Sequence, residues 1–374
     1  MTPLKPGSVI GILGGGQLGR MLALAAARLG FRTHIYCPDE DRPAAHVASA
    51  CTPEPYDDEA SLEAFAASVD VVTYEFENVP EAAARFLARH VQVWPPPEAL
   101  AVAQDRLREK TFFDAIGIAT APFAAIDDPV SLAAGVAATG LPAVLKTRRF
   151  GYDGKGQAFV ADAAGAADAL SALGGGGLLI EGFVPFDREI SVIVARGLDG
   201  DARCYEPAWN IHENHILARS IIPSGIDPEI AAEAKLIATR IAERLDYVGV
   251  MGVEMFLETT AGPRLFVNEM APRVHNSGHW TIDACIVSQF EQHVRAICGW
   301  PLGTVRRHSD AVMTNLLGDA AGDWPRLASE GCAAIHIYGK ARALPGRKMG
   351  HVTRLYPLGR NPEVRPLGSA AVCE

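Results

Sequence analysis

The sequence has few cysteines, no excess of basic residues and no stretch of eighteen consecutive apolar residues. Its formal net charge is −10, which argues against nonspecific nucleic-acid binding because that binding requires a basic face. Without a long apolar stretch, we expect no membrane-spanning helix. The seven cysteines are scattered and none forms a C-x-x-C pair, which indicates reduced thiols in a cytoplasmic protein. The chain starts directly with a strand pattern and a glycine-rich loop, so we expect no signal peptide.

Several catalytic signatures are missing as well. No G-x-S-x-G sequence marks a serine hydrolase, and no cysteine spacing marks a zinc site. The glycine-rich turn at residues 151–156 has neither Walker nor protein-kinase spacing. The composition, with 49% hydrophobic and 21% charged residues, is that of an ordinary globular protein. Its length of 374 residues predicts two or three domains.

The first 104 residues alternate short apolar runs with helical patterns, which predicts an open parallel α/β sheet. Three consecutive prolines at positions 95–97 end this pattern, and we expect one helix from Leu100 to Ala115. The predicted strands are Val9–Leu13, Thr33–Cys37, Val69–Tyr74 and Val91–Trp94, and the predicted crossover helices are Arg20–Leu29, Ser61–Ala67 and Glu81–Arg89.

Beyond residue 118 the pattern changes to strands joined by turns, with an amphipathic helix at 229–245 and a long hairpin at 248–273. Short strands and turns follow after about residue 305. We therefore expect three domains: an α/β domain at 1–104, a mixed α+β domain at 105–300 and a small β-rich domain at 301–374.

The stretch "GILGGGQLGR" contains Gly14-x-Gly16-x-x-Gly19 between a predicted strand and a predicted helix. Asp39 follows twenty residues after the last glycine, which completes the pattern of a dinucleotide-binding fingerprint. The same tight turn can serve another ligand, because the amides at a helix N-terminus favour any phosphate. Both interpretations are open at this point.

Two glutamates in the long hairpin are equally far from its turn. Glu254 and Glu269 flank a turn centred near residues 261–262, so a regular antiparallel hairpin places their Cβ atoms roughly 5 Å apart. Carboxylates that close together repel unless a cation lies between them, and Mg2+ prefers such oxygen ligands together with phosphates. The alternative is a pair of solvated glutamates on an exposed face.

Three further motifs carry polar groups suited to an anionic ligand. Lys146 ends a strand before the glycine-rich turn "GYDGKG", where backbone amides can approach phosphate oxygens. Glu181 and Glu189 flank a short crossing segment that can contact a purine and a ribose. Arg273, in "APRVHNSGHW" directly after the hairpin, indicates an anionic substrate. Each motif alone is also compatible with an ordinary hairpin tip or surface loop.

Taken together, the order of these motifs resembles that of ATP-grasp ligases. Within them, "GILGGGQLGRM", "TYEFENVP", "QDRLREK", "GYDGKGQ" and "NEMAPRVHNSGHW" resemble the N5-carboxyaminoimidazole ribonucleotide synthetases of purine biosynthesis. The resemblance extends from about Gly11 to Arg354. It implies an ATP-grasp fold with an N-terminal pre-ATP-grasp domain and a β-rich C-terminal domain.

The resemblance also implies the reaction. Members of this family use ATP, Mg2+, bicarbonate and 5-aminoimidazole ribonucleotide, and they act through carboxyphosphate. On this basis we expect a carbon–nitrogen ligase, a homodimer by family membership, and no nucleic-acid or membrane partner. The alternatives are another ATP-grasp ligase, such as the formate-dependent glycinamide ribonucleotide transformylase, or a non-catalytic NAD-binding module.

The resemblance assigns a role to each matching position. Glu254 and Glu269 are expected to bind magnesium, with Asn268 beside them. Because Asn268 points away from Glu269 in a flat strand, a bulge or twist is required for both to reach the site. The expected ATP contacts are Arg106, Lys146, Gly151, Tyr152, Asp153, Gly154, Lys155, Gly156, Gln157, Glu181, Gly182, Phe183, Val184, Glu189, His212, Asn268 and Glu269. The expected ribonucleotide and bicarbonate contacts are Gly16, Gln17, Glu75, Asn78, Tyr152, Asp153, Arg273, His275, Lys340, Arg347 and Lys348, of which Asp153, Arg273, His275 and Lys340 are the catalytic candidates.

Overall fold

Three β-sheets organise the chain, and the ends of their strands meet around one cleft. The structure is a computed structural model that describes residues 2–151, 154–260 and 262–364. Tyr152 and Asp153, both expected to contact ligands, lie outside the described residues. Within the described ranges, no helix is long and apolar enough to cross a membrane.

The first sheet is parallel, with strand order β3-β2-β1-β4, which confirms the expected open α/β arrangement. Its strands are β1 (Val9–Leu13), β2 (Arg32–Tyr36), β3 (Ala50–Thr52) and β4 (Val71–Tyr74). The accompanying helices are α1 (Gln17–Arg28), α2 (Glu59–Ala67), α3 (Glu81–Leu87), α4 (Pro97–Ala103) and α5 (Arg106–Ala115).

The expected strand Val91–Trp94 is wrong, because the segment forms only an isolated parallel bridge between Val93 and Val72. The main-chain bonds of Val72 with Gln92 and Trp94 hold the segment beside β4. Prolines 95–97 follow at once, and since they lack amide donors the pairing cannot continue.

The single helix expected over Leu100–Ala115 is also wrong, because the chain breaks into α4 and α5 at Asp105. Asp105 has extended backbone angles, and its carboxylate accepts from the amides of Leu107 at 3.0 Å and Arg108 at 3.3 Å. An aspartate whose side chain accepts from two backbone amides in this way is the N-cap of a new helix, so the preceding helix ends before it.

The second sheet is a small antiparallel one with order β5-β8-β6-β7. Lys146 pairs with Gln157 across β6 and β7, so the glycine-rich segment is the turn of a hairpin, as expected. Two helices cover one face of this sheet and bury a separate apolar cluster. The elements are β5 (Phe123–Ile126), α6 (Pro129–Thr139), β6 (Ala143–Thr147), β7 (Gln157–Val160), α7 (Ala163–Ala172) and β8 (Leu178–Gly182).

The third sheet has nine antiparallel strands and joins the middle of the chain to its C-terminal part, because β12 pairs with β15. The expected mixed fold with a β-rich C-terminal part is thus confirmed, while the boundaries 104/105 and 300/301 stay predictions. The strands are β9 (Arg188–Arg196), β10 (Ala202–Cys204), β11 (Ala208–Glu213), β12 (Ile216–Ile222), β13 (Gly249–Glu258), β14 (Arg264–Ala271), β15 (Asp310–Leu317), β16 (Ala333–Ile337) and β17 (Lys348–Tyr356). The helices are α8 (Pro228–Arg244), α9 (Thr281–Ala284), α10 (Gln289–Ile297) and α11 (Trp324–Ala328), with 3-10 turns at Asn276–Gly278 and Gly318–Asp323.

The two faces of the large sheet are covered differently. Apolar residues of α4, α5 and α8 pack on one face of β9, β13 and β14. On the other face α10 packs against β9 and β13 and also against α1, so one apolar cluster runs from the first sheet into the third. This packing brings the ends of β1 and β4 close to the hairpin β13–β14.

We expect Asp105→Ala to lower the free energy of unfolding. The variant loses a helix cap, which contributes about 1 kcal/mol, and it leaves the Arg148 guanidinium, 2.8 Å from the carboxylate, without this partner. Asp105→Asn keeps a capping oxygen but not the charge, and we expect it to be intermediate. Urea denaturation followed by circular dichroism measures both, and equal midpoints for wild type and Asp105→Ala would contradict the capping role.

Candidate functional site

A single cleft of about 870 Å³ collects nearly all of the expected site residues. It is lined by segments of all three sheets, and its size suits a nucleotide together with a small substrate. The expected residues in its wall are Gly16, Gln17, Glu75, Asn78, Arg106, Lys146, Gly151, Gly154, Lys155, Gln157, Glu181, Gly182, Phe183, Val184, Glu189, His212, Glu254, Asn268, Glu269, Arg273, His275, Lys340, Arg347 and Lys348.

Gly156 is the one expected residue within the described ranges that does not line the cleft. Its backbone has a φ of +71°, and its carbonyl accepts from the amide of Thr147. An added Cβ there would collide with the Thr147 side chain. Gly156 therefore shapes the turn between β6 and β7, while a direct contact with a nucleotide stays a prediction.

The two hairpin glutamates face each other as the sequence predicts. Glu254 on β13 pairs directly with Glu269 on β14, whereas the next pair is Met255 with Val267. Asn268 is therefore an extra residue in β14, which is the bulge that the expected ligand set requires. Its Oδ1 atom is buried and accepts no hydrogen bond within the described part of the chain.

The charges around this carboxylate pair are unequal. Arg106 Nη1 lies 2.9 Å from Glu269 Oε2. Although burial acts to raise the pKa of Glu269, this guanidinium lowers it. Burial and the charge of Glu269 raise the pKa of Glu254 to about 7. Two carboxylates and an unpaired amide oxygen thus form an acceptor cluster that is short of positive charge.

A second buried cluster contains one carboxylate and two lysines. Glu181 Oε2 lies 2.8 Å from the Nζ atom of Lys146, and Oε1 lies 3.5 Å from the Nζ atom of Lys110. Burial acts to raise the pKa of Glu181, but the two lysines lower it to about 2. Lys110 is only 1% exposed, and its amine also donates to the carbonyl of Val267. The Glu181 carboxylate therefore fixes Lys146 at the edge of the cleft.

Lys110 and its neighbour Glu109 are missing from the set expected from sequence. Glu109 Oε1 accepts from the amide of Met270, next to the metal-binding candidate Glu269. Burial and the charge of Glu269 raise the pKa of Glu109 well above its ordinary value. The spacing in "QDRLREK" places Arg106, Glu109 and Lys110 on one helix, and only the first of them was recognised.

The glycine-rich loop before α1 holds an internal carboxylate. Gly14 has a φ of +103°, and the amides of Gly16 and Gly19 both donate to the Glu75 carboxylate, the second at 2.6 Å. Glu75 is 5% exposed, and burial raises its pKa. The helix N-terminus that the sequence offers to a phosphate is thus occupied by a side chain of the same chain. A dinucleotide pyrophosphate would compete directly with Glu75 for these amides.

The loop after β14 is anchored by an ion pair that the sequence did not predict. Arg273 donates from Nε to the Glu77 carboxylate. Burial alone would raise the pKa of Glu77, but the Arg273 guanidinium has the larger effect and lowers it to about 2. Burial and the same guanidinium lower the pKa of His275 to about 3, so its imidazole is neutral. The Arg273 and His275 side chains both reach the cleft.

The basic residues Lys340, Arg347 and Lys348 of the C-terminal segment form a cluster that also lines the cleft. Arg347 Nη2 lies 2.8 Å from Asp41 Oδ2, an acidic partner that the sequence did not predict. Burial and the neighbouring Arg347 lower the pKa of Lys340 to about 8. Asp39, the acidic residue of the dinucleotide-binding pattern, also lines the cleft. Lys348 completes the cluster at the start of β17.

Aromatic rings and a histidine line the end of the cleft nearest the second sheet. Phe183 packs edge-on against Phe159 with centroids 5.7 Å apart, and Phe186 stacks on Phe256 at 4.7 Å. The His212 imidazole bonds the Glu189 carboxylate, which raises the His212 pKa despite its burial. This wall combines apolar surface with a carboxylate acceptor, which suits a base and a sugar.

Three family models match the chain and together cover most of it. They describe a ribonucleotide synthetase preATP-grasp domain at residues 8–104, an ATP-grasp domain at 111–290 and a phosphoribosylaminoimidazole carboxylase C-terminal domain at 311–357.

Whole-length relatives agree with these matches. An N5-carboxyaminoimidazole ribonucleotide synthase from Brucella melitensis is 50% identical over 358 residues, which span 95% of this chain and 98% of that protein. A solved synthetase in complex with ADP is 39% identical, with a TM-score of 0.91 over 95% of this chain and 94% of that one. An Aspergillus clavatus synthase in complex with ADP and 5-aminoimidazole ribonucleotide is 30% identical, with a TM-score of 0.86 over 94% of both chains.

We expect Gly16→Ala to destabilise the protein through its contact with Glu75. The Gly16 backbone has φ −77° and ψ −164°, which alanine adopts freely, so only the added Cβ matters. That atom would lie 2.6 Å from Glu75 Oε1, and displacing the carboxylate costs charge-assisted hydrogen bonds of about 1.5–3 kcal/mol each.

The control is Gly331→Ala, since a Cβ at that position meets no atom within 4 Å. Thermal unfolding of Gly16→Ala, Glu75→Ala and the double variant tests the contact. If the two single losses add fully in the double variant, Gly16 and Glu75 are not coupled and the interpretation is wrong.

Proposed function

The chain belongs to the N5-carboxyaminoimidazole ribonucleotide synthase family of ATP-grasp ligases, and we propose from its cleft how these residues carboxylate 5-aminoimidazole ribonucleotide at the expense of ATP. The reaction is a carbon–nitrogen ligation of purine biosynthesis. The observation that carries the proposal is the separation of charge in one cleft. Two carboxylates and the unpaired Asn268 oxygen lie in the wall formed by the hairpin β13–β14, and basic side chains line the same cleft.

ATP binds between the second and third sheets. Arg106 and Lys146 contact its phosphates, and Gly151 and the segment 154–157 offer backbone amides to them. The adenine lies along the segment Glu181–Val184, beside the aromatic rings of that wall. Glu189 accepts from ribose hydroxyls, and its bond to His212 fixes its orientation.

Glu254, Glu269 and the Oδ1 atom of Asn268 would hold Mg2+, which when bound neutralises charge on the triphosphate. The fit is supported by three features: the direct pairing of the two carboxylates, the raised pKa of Glu254 and the buried Asn268 oxygen without a donor. Hard oxygen donors of this kind are what magnesium requires.

Bicarbonate is activated beside the γ-phosphate. Its oxygen attacks the γ-phosphorus, ADP leaves and carboxyphosphate forms. Arg273 is held by Glu77 and offers a fixed positive charge to this anion, while the neutral His275 imidazole can accept or donate a proton there. The two side chains are only 14% and 12% exposed, which limits the access of water that would hydrolyse carboxyphosphate.

The ribonucleotide enters from the side of the first sheet. Its phosphate pairs with Arg347 and Lys348, while Gly16, Gln17, Glu75 and Asn78 face the aminoimidazole. The amine attacks the carboxyl carbon, as carboxyphosphate or as the CO2 it releases, phosphate leaves and the amine loses a proton. Lys340, with its pKa lowered to about 8, can take part in that proton transfer.

Two finer proposals concern the protein as a whole. We place it in the cytoplasm, which is supported by the absence of disulfides among the six cysteines that the structure describes. We also propose a homodimer, which rests on family membership and is tested by light scattering coupled to size-exclusion chromatography.

The proposed reaction predicts that ADP release requires both bicarbonate and 5-aminoimidazole ribonucleotide. Each is omitted in turn from an assay with ATP and Mg2+, and formation of the N-carboxylated product is followed by NMR with 13C-bicarbonate. ADP release driven instead by formate and glycinamide ribonucleotide would identify the transformylase. NAD binding without ATP turnover would support the binding-module alternative.

In the same assay we expect Glu269→Gln to abolish turnover, because losing one carboxylate weakens cation binding and releases Arg106. Glu258→Gln is the matched control. Glu258 lies at the end of the paired strand β13, is buried and pairs with Arg264 at 2.6 Å, but it does not line the cleft. Normal turnover of Glu269→Gln at ordinary Mg2+ would contradict the assignment of the cation site.

We expect Lys110→Met to weaken binding of a non-hydrolysable ATP analogue by about tenfold or more, equivalent to about 1.4 kcal/mol. When Lys146 turns to a phosphate, Lys110 keeps the buried Glu181 carboxylate paired, and without Lys110 this charge would be left uncompensated. The measurement is calorimetric titration alongside thermal unfolding.

Arg307→Met controls for a general loss of stability, because Arg307 forms ion pairs with Asp310 and Glu206 but does not line the cleft. We expect it to lower the unfolding temperature while leaving nucleotide affinity unchanged. If Lys110→Met behaves in the same way, Lys110 is only a structural residue.

A further inference from the structure

A group of metal-ligating side chains lies behind the wall of the cleft, on the C-terminal strands. His336 on β16 and His351 on β17 are direct cross-strand partners, so their side chains project from the same face of the sheet. Their rings are nearly parallel, with centroids 4.4 Å apart. Asp283 of helix α9 faces them from the neighbouring layer. None of these three residues lines the cleft.

The ligand atoms of the three side chains lie close to one another. His336 Nε2 lies 2.9 Å and 3.2 Å from the two carboxylate oxygens of Asp283. One nitrogen or oxygen from each residue can be chosen so that all three atoms lie within 4.8 Å of one another. Two ligand atoms that each lie about 2.0–2.1 Å from one zinc ion are roughly 3 Å from each other. The distances from His336 Nε2 to the Asp283 oxygens match this separation.

The second observation is an unpaired nitrogen. His351 is fully buried, and its Nδ1 atom bonds the Tyr338 hydroxyl at 2.9 Å. Its Nε2 atom is buried and has no hydrogen-bond partner within residues 2–151, 154–260 and 262–364. Burial and the neighbouring His279 hold the pKa of His351 well below its usual range, so the ring is neutral. A neutral imidazole with one nitrogen bonded to a polar group and the other unpaired is what a metal ligand requires.

We propose that Asp283, His336 and His351 form a transition-metal site that prefers Zn2+ over Mg2+. Two imidazoles and one carboxylate are a donor set that suits zinc and not magnesium, which takes oxygen ligands. Binding would replace the proton that His336 and Asp283 share, and that proton passes to solvent. The side chains of His336 and Asp283 are 26% and 15% exposed, which leaves a path for the ion and room for a water ligand.

The position of this site gives it a structural role. Helix α9 follows the loop that carries Arg273 and His275, while Lys340 lies shortly after β16 and Lys348 begins β17. A bound ion would clamp α9 to the β16–β17 pair and so hold two walls of the cleft together. The proposal does not depend on the reaction assigned above.

The test is a titration of the metal-free, full-length protein with Zn2+ in excess Mg2+, which keeps the cleft carboxylates occupied. Calorimetry measures stoichiometry, and Co2+ substitution gives visible absorption bands that report tetrahedral coordination. We expect one equivalent of Zn2+ to bind and to raise the unfolding temperature. We expect His351→Ala, His336→Ala and Asp283→Asn each to weaken Zn2+ binding by about tenfold or more.

The control is His308→Ala, which removes an exposed histidine outside the cluster and should leave Zn2+ affinity unchanged. Because His351 is buried and its variant can fail to fold, the partly exposed His336 and Asp283 variants decide the question. The absence of a Zn2+ equivalent in the wild type, or equal affinity in the wild type and both of these variants, would overturn the proposal.

Discussion

The cleft depends on the pairing of each buried charge with a group from a distant part of the chain. Arg106 of α5 meets Glu269 of β14, and Lys146 of β6 shares Glu181 of β8 with a helix lysine. Burying one of these charges without its partner would cost several kcal/mol of folding free energy. The three sheets must therefore pack so that each charge reaches its partner. In the proposed mechanism, phosphate and carboxylate groups of the substrates replace some of these partners.

The sequence predicted the pairing in the hairpin β13–β14 correctly, because in a regular hairpin the number of residues between each position and the turn determines which residues face each other. The distances of Glu254 and Glu269 from the turn predicted their pairing. The need for Asn268 to reach the same side predicted a bulge or a twist, and the structure contains a bulge. The same kind of reasoning failed at Asp105. Helical periodicity continues through that position, and only the competition between the carboxylate and the backbone for two amides breaks it.

Long-range partners were beyond prediction from the sequence. Glu77 was not recognised as the partner of Arg273, which lies 196 positions further along the chain, and Asp41 was not recognised as the partner of Arg347. Lys110 was overlooked because a lysine on a charged helix usually faces solvent, whereas here α5 is packed against β14. The family resemblance identified residues that line the cleft. It did not identify their ion-pair partners Glu77, Asp41 and Lys110.

The glycine-rich loop shows how a nucleotide-binding turn can be kept while its ligand changes. Strand β1, the turn and helix α1 have the geometry of a dinucleotide site, including a left-handed Gly14. In such a site the helix amides bind a pyrophosphate, whereas here the Glu75 carboxylate of the β4 end takes those amides. This carboxylate satisfies the helix N-terminus in place of a bound anion. The turn therefore holds the Glu75 carboxylate beside the cleft instead of binding a phosphate itself. This explains why the chain carries the glycine pattern of a dinucleotide site without using it for a dinucleotide.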